Sequence, residues 1–152
     1  MAIRTNFRKG VCAVVFRKTE SEPLFLILHR VQNWSGWELA KGGRKAGESE
    51  RSCLLRELRE ETGARKYKIH TKTPFTIEYK WPHLFIKDHK PYHGSIEHVY
   101  LVELFDEKIR LDKLEHDNYQ WVGKKDFLKM LTYKNRRDIA KSVLKEYDKI
   151  IF

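Results

Sequence analysis

From Ser49 to Thr62 the chain contains no glycine or proline, good helix formers dominate, and Gly63 stands where a helix C-cap is expected. On a helical wheel with Glu57 at zero, Glu60 falls near about −60° and Glu61 near about +40°, while Leu54, Leu55 and Leu58 cluster between about 60° and 160°. The leucines therefore dock one stripe into a core, and three acids occupy the stripe beside it. Like charges crowded in this way repel and raise one another's pKa unless cations neutralise them. A bound divalent ion is the economical answer, and oxygen donors without His or Cys favour magnesium, with manganese as a substitute, over zinc. The stretch from Lys41 to Glu48, carrying Gly42, Gly43 and Gly47, leads into the helix as a loop able to bring backbone close to phosphate or metal.

Sheet surrounds this helix. Val11–Phe16 and Leu24–Leu28 are short, partly β-branched apolar runs separated by a polar turn, and they read as two strands. Alternating segments predict long strands near Tyr67–Tyr79 and Ile96–Phe105, and a short one at Tyr119–Val122. Between Trp81 and Gly94 no period is sustained, which predicts a loop or hairpin tip; His83, His89 and His93 there are spaced irregularly and read as solvated rather than metal-bound. A short helix over Lys124–Leu131 and a longer one over Arg136–Ile150 close the chain, the latter with Ile139, Val143, Leu144, Tyr147 and Ile150 near one face. These elements predict a mixed sheet flanked by helices, an α/β (α+β) class.

The 152 residues match the size of one domain. The N-terminal ten residues turn polar too early for a signal peptide, and no apolar run approaches the roughly 20 residues that span a bilayer, so the expectation is a cytoplasmic protein without membrane contact. Cys12 and Cys53 have no CxxC partner and read as reduced core thiols. The 31 Lys and Arg against 21 Asp and Glu leave a formal charge of +10, a field that attracts phosphate-bearing partners.

Gly42, five residues, Glu48, seven residues, then Arg56-Glu57-Leu58-Arg59-Glu60-Glu61-Thr62-Gly63-Ala64 is a pattern of many specified positions. It resembles the signature of the Nudix hydrolase family, with Ala64 smaller than the usual closing aliphatic residue. The resemblance implies an α/β/α sandwich over residues 1–152 and cleavage of a diphosphate linkage in a nucleotide. It implies metal ligation by Glu57, Glu60, Glu61 and the Lys41 carbonyl, and phosphate approach at Gly42 and Gly43. Glu48 and Arg56 resemble an orienting pair, and either Glu57 or Glu61 would take the proton of the attacking water.

Outside this box, Glu115 in Glu115-His116-Asp117-Asn118-Tyr119-Gln120-Trp121 resembles a further metal-binding carboxylate of diadenosine tetraphosphate hydrolases and bacterial RNA pyrophosphohydrolases, with Glu97 and Glu103 in reserve. Tyr133 and Lys134 resemble the aromatic-Lys pair before the last helix of dinucleoside tetraphosphate hydrolases, which implies base stacking by Tyr133 and a phosphate contact by Lys134. Trp37 reads as core packing, and Trp34 and Trp81 as base-stacking candidates. One departure concerns substrate: Ser95 stands where many of those enzymes carry a Lys, so the phosphate contact is either lost or supplied by Lys87, Lys90 or His93, which leaves the choice of a dinucleotide substrate open. The expected activity is hydrolysis of bis(5′-nucleosyl) tetraphosphate, with removal of pyrophosphate from an RNA 5′ end as the alternative. A Nudix-fold nucleotide- or RNA-binding protein without catalysis is a third reading, opposed by the intact acids.

Overall fold

A computed structural model describes residues 6–152; the start of the segment read as lacking a signal peptide, residues 1–5, lies outside them. Seven strands form one mixed sheet: β1 (Phe7–Arg17), β2 (Leu24–Arg30), β3 (Gly36–Glu38), β4 (Ala40–Gly43), β5 (Tyr67–Lys80), β6 (Gly94–Leu104) and β7 (His116–Val122). β1 runs parallel to β6 from Phe7↔Gly94 to Phe16↔Glu103, and β5 pairs antiparallel on the far side of β6. β1 and β2 touch only at Phe16↔Phe25 and Arg17↔Leu24, then diverge. The short strands fill the gap, β3 bonding β2 and β4 bonding β1. That opening is where the Gly42-Gly43 backbone enters the site.

Both faces of the sheet are covered, which explains why β1 reads as a continuous apolar run. Val11, Ala13 and Val15 face helix α1 (Glu50–Thr62) with Leu54 and Leu58, while Cys12, Val14 and Phe16 face the opposite core, with Phe127, Ala140, Val143 and Leu144. The latter come from α3 (Lys124–Met130) and α4 (Lys134–Glu146), and α5 (Asp148–Ile151) adds Ile151. The product is the α/β/α sandwich with a mixed sheet. Each fully buried aliphatic or Phe side chain contributes about 1.5–3 kcal/mol to it. Cys12 and Cys53 are buried free thiols, and burial pushes the Cys53 thiol up to about 12.

α1 starts and stops as its residues require. Ser49 Oγ accepts the Ser52 N–H at 3.1 Å, and Gly63, at φ 71°, closes the helix by donating its N–H to the Arg59 carbonyl at 3.0 Å.

Two readings need correction. The expected loop from Trp81 to Gly94 contains a short helix, α2 (His83–Asp88), because Pro82 opens it and Phe85 packs on Trp81 and Trp34 with ring centroids at 4.7 and 5.6 Å. The final helix is interrupted at Tyr147 (φ −113°, ψ 28°), which separates α4 from α5. Among the described residues no helix is long and apolar enough to cross a membrane.

Candidate active site

Helix α1 delivers the acids and β4 delivers backbone. Arg56 is the hinge between them. Its guanidinium grips both oxygens of Glu48 at 2.7 and 3.0 Å, donates to the Gly43 carbonyl at 2.9 Å, and reaches Glu57 at 2.6 Å and Glu60 at 3.1 Å. These contacts hold the Glu48 carboxyl down at about 2. Arg44 closes the same loop from outside, its guanidinium donating to the Glu48 carbonyl at 2.9 and 2.7 Å. A Cβ on Gly42 would lie 2.0 Å from the Glu57 carboxyl carbon, so a larger residue here displaces the Glu57 side chain.

The three acids differ sharply. The Glu60 side chain is 45% exposed. Glu57 is nearly buried, and burial, opposed by Arg56, pushes its carboxyl up to about 7. Glu61 is 1% exposed; Oε1 accepts the Lys41 N–H at 2.7 Å, and Oε2 is buried without a partner. Burial first, then the Glu115 and Glu57 charges, raise its carboxyl well above the usual range.

Glu115 lies across from Glu61 and is held by Arg30 at 3.0 Å. The strand register explains how it gets there: a bulge between His29 and Arg30 shifts the β2–β7 pairing so that Arg30 faces His116. His116 is 1% exposed, and burial together with Arg30 and Lys41 drives its imidazole down to about 4, so it is neutral near pH 7. Glu61, Glu115 and His116 offer ligand atoms within 4.8 Å of one another. A buried carboxylate oxygen without a partner beside further acids is a donor set suited to a divalent cation, and these residues fit one.

Opposite the acids, a cleft of about 360 Å³ is lined by cations, among them Arg8, Arg30, Lys41 and Lys45, with Gly42, Gly43 and Trp34. Lys41 carries a buried amine 3.0 Å from the Tyr79 hydroxyl and 3.8 Å from Glu97. Burial works against that charge, but Tyr79, Glu97 and Glu38 outweigh it and raise the amine above its ordinary value. Beside the cleft, Trp34, Tyr79, Pro82 and Tyr133 line a second, more apolar pocket of about 220 Å³. Beneath it Arg136 pairs with Glu38 at 2.9 Å, both almost fully buried, and stacks 4.3 Å over the Tyr79 ring.

The NUDIX domain model matches residues 6–143. This chain belongs to the Nudix family. It is a Nudix hydrolase, a class acting on phosphorus-containing acid anhydrides. It is 33% identical over 150 residues to an RNA pyrophosphohydrolase of Nitratiruptor sp., covering 96% of both chains. An RNA pyrophosphohydrolase of Campylobacter jejuni is 30% identical over 147 residues, 94% of both. Among solved structures, a Caenorhabditis elegans Ap4A hydrolase binary complex superposes with a TM-score of 0.77 at 22% identity, covering 93% of this chain and 98% of that one. That likeness speaks for the fold.

Within this Nudix site the expected residues are distributed unevenly. Arg56, Glu57, Glu60, Glu115, Gly42 and Gly43 line the cleft, as does Lys41. Glu61 lies behind it, and Glu48 is held by Arg56. Tyr133 lines the apolar pocket and donates to the Ser35 carbonyl at 2.9 Å. Lys134 is 81% exposed and pairs with Asp138 at 2.7 Å on the outside of α4. Glu97 lines the cleft, whereas Glu103 bonds His70 at 2.8 Å. Ser95 accepts the Trp81 indole N–H at 2.8 Å. Of the three substitutes for its missing charge, Lys90 lines only a shallow groove beside the cleft, whose facing cations include Arg8 and Arg30. His89 stacks on Phe85 at 3.8 Å.

Arg30, Tyr79, Arg136 and His116 escaped the sequence reading. Arg30 sits at the polar end of an apolar strand and His116 follows Glu115 directly, which are weak signals. The pairing of Glu38 with Arg136 spans 98 positions and leaves no local trace.

Proposed function

We propose that this Nudix hydrolase removes pyrophosphate from the 5′ triphosphate end of RNA, with magnesium as its working ion. The observation carrying this reading is the mouth of the cleft. It continues into shallow grooves lined by Arg8, Arg44, Lys45, Lys90 and Tyr92, a basic and aromatic track for phosphates and bases beyond the reacting group. The relatives named as RNA pyrophosphohydrolases, aligned over nearly the whole chain, favour the same substrate.

Glu57, Glu60, Glu61 and Glu115 would hold magnesium. Bound there, it supplies charge neutralisation on the diphosphate oxygens and acidifies water. We take Glu57, on the wall of the cleft beside Glu60, as the residue that receives the proton. The water oxygen bonds to phosphorus in line, the bond to the bridging oxygen breaks, and pyrophosphate leaves with that electron pair. Arg56 fixes Glu57 in place by its 2.6 Å contact. Arg8, Arg30 and Lys41 face the phosphates, and Lys41 also positions Glu61 through its own backbone N–H.

A second reading, hydrolysis of a dinucleoside tetraphosphate, draws on the pocket of Trp34, Tyr79, Pro82 and Tyr133, whose aromatic walls suit a purine. Parallel kinetics on a 5′-triphosphorylated RNA oligomer and on diadenosine tetraphosphate separate the two. The expected result is a kcat/KM at least ~10-fold higher for RNA, the equivalent of about 1.4 kcal/mol. The reverse order contradicts the RNA assignment.

A further inference from the structure

Two polar groups in this protein are buried, unpartnered and turned toward each other. Glu61 Oε2 and His116 Nδ1 are both without a hydrogen-bond partner, on side chains 1% and 2% exposed, and stand 3.9 Å apart. That is too far for a hydrogen bond, and a buried polar atom left unpaired destabilises the fold. Two bonds of about 2.1 Å from one ion span up to about 4.2 Å, so a single cation between them satisfies both atoms. Glu115 completes the group: it offers a carboxylate oxygen within 4.8 Å of the other two ligand atoms, and Arg30 steadies it at 3.0 Å.

We propose that His116 Nδ1, Glu61 Oε2 and Glu115 form an inner cation position of mixed nitrogen and oxygen donors, which binds a transition ion such as Mn²⁺ more tightly than the Mg²⁺ that serves there when no transition ion is present. The position deepens the metal-dependent reading above and rests on it. Its selectivity comes from the imidazole, a donor that suits first-row transition ions, whereas an all-oxygen set suits Mg²⁺. The outer acids Glu57 and Glu60 offer oxygen alone, so the two halves of the site differ in the ion they prefer. The β2–β7 bulge at His29/Arg30 is the structural cause, because it sets the register in which His116 faces Arg30.

The test uses the full chain, stripped of metal and loaded with Mn²⁺ without substrate. Electron spin echo spectra of the wild type should carry nitrogen modulation from a directly bound imidazole. His116→Leu should lose that modulation, with Mn²⁺ affinity in equilibrium dialysis falling at least ~10-fold and Mg²⁺ affinity changing much less. His116→Gln, which keeps a polar group in the cavity, gives the same reading should the leucine variant not fold. A wild-type spectrum without nitrogen modulation, or modulation that survives in the folded His116 variants, overturns the proposal. Neither readout involves RNA. Failure of the RNA assignment would appear instead as poor cleavage by an enzyme whose Mn²⁺ spectra are intact.

Discussion

Glu60 and Glu61 are consecutive on α1, yet one carries a 45% exposed side chain on Arg56 and the other is 1% exposed with a free oxygen. The outer region, Glu48, Arg56, Glu57 and Glu60, is a lattice of ion pairs on one shared guanidinium, in which only Glu60 opens to solvent. In the inner region Glu61 and His116 are buried with atoms left unpaired, and Glu115 stands between them and the cleft. The difference arises from one step of about 100° on the helix, which turns Glu61 toward the sheet and Glu60 toward water. It teaches that the outer acids hold the loop in shape, whereas the inner acid keeps one oxygen on the Lys41 N–H and leaves the other without a partner.

The strongest way to break this contrast is to neutralise each acid in turn. Glu61→Gln should lower kcat by ~10² or more, because a charge-stabilising ligand is lost from a buried position, and Glu60→Gln by about 10-fold or less. Equal losses in steady-state assays would erase the distinction. Next comes the outer lattice: Arg56→Met should destabilise the protein by about 2 kcal/mol in urea unfolding, since Glu48 and Glu57 lose their shared partner in a partly buried setting. An unchanged midpoint would show the lattice to be ornamental.

Protons sharpen the comparison further. Glu57 titrates at about 7 and Glu61 is also raised, so protons compete with a cation at both, and the cation binds better as pH rises. Mg²⁺ affinity, read by calorimetry from pH 6 to pH 8, should strengthen by up to about 10-fold per unit for each proton displaced. In the metal-free protein the sign for Glu57 is opposite: its raised carboxyl favours folding fully below about 4.5, and that contribution is lost as pH rises through about 7. Affinity independent of pH contradicts the first statement, and metal-free stability that does not fall as pH rises through about 7 contradicts the second. The smallest effect is expected at Lys134→Ala, which should leave kcat/KM and the melting temperature unchanged, because Lys134 is turned to Asp138 and solvent. A KM increase of several-fold would place its amine on substrate phosphate instead.

What could be read from the chain followed its local physics. The α1 boundaries were legible because Ser49 and Gly63 satisfy the helix ends, and Leu54 and Leu58 because helical spacing is regular, whereas Leu55 is only half-buried and Cys53 joins the core instead. The spacing of Gly42 made sense once a side chain there was seen to collide with Glu57. Groups assembled by long-range register were not legible: Arg30 on Glu115, Arg136 under Tyr79, and His116 beside Glu61 depend on a bulge and on pairings far apart in sequence. The helix α2 was missed because its stability comes from Trp34 and Trp81 packing on Phe85 rather than from any periodic pattern.

The most direct test of the central claim follows pyrophosphate release from 5′-triphosphorylated RNA after exhaustive chelation and stepwise return of Mg²⁺, in wild type and Glu61→Gln. The account predicts no release without the ion, recovery that saturates in parallel with metal binding, and failure of Glu61→Gln to recover within ~10² of wild type. Full turnover in the chelated enzyme, or normal recovery by Glu61→Gln, would contradict it.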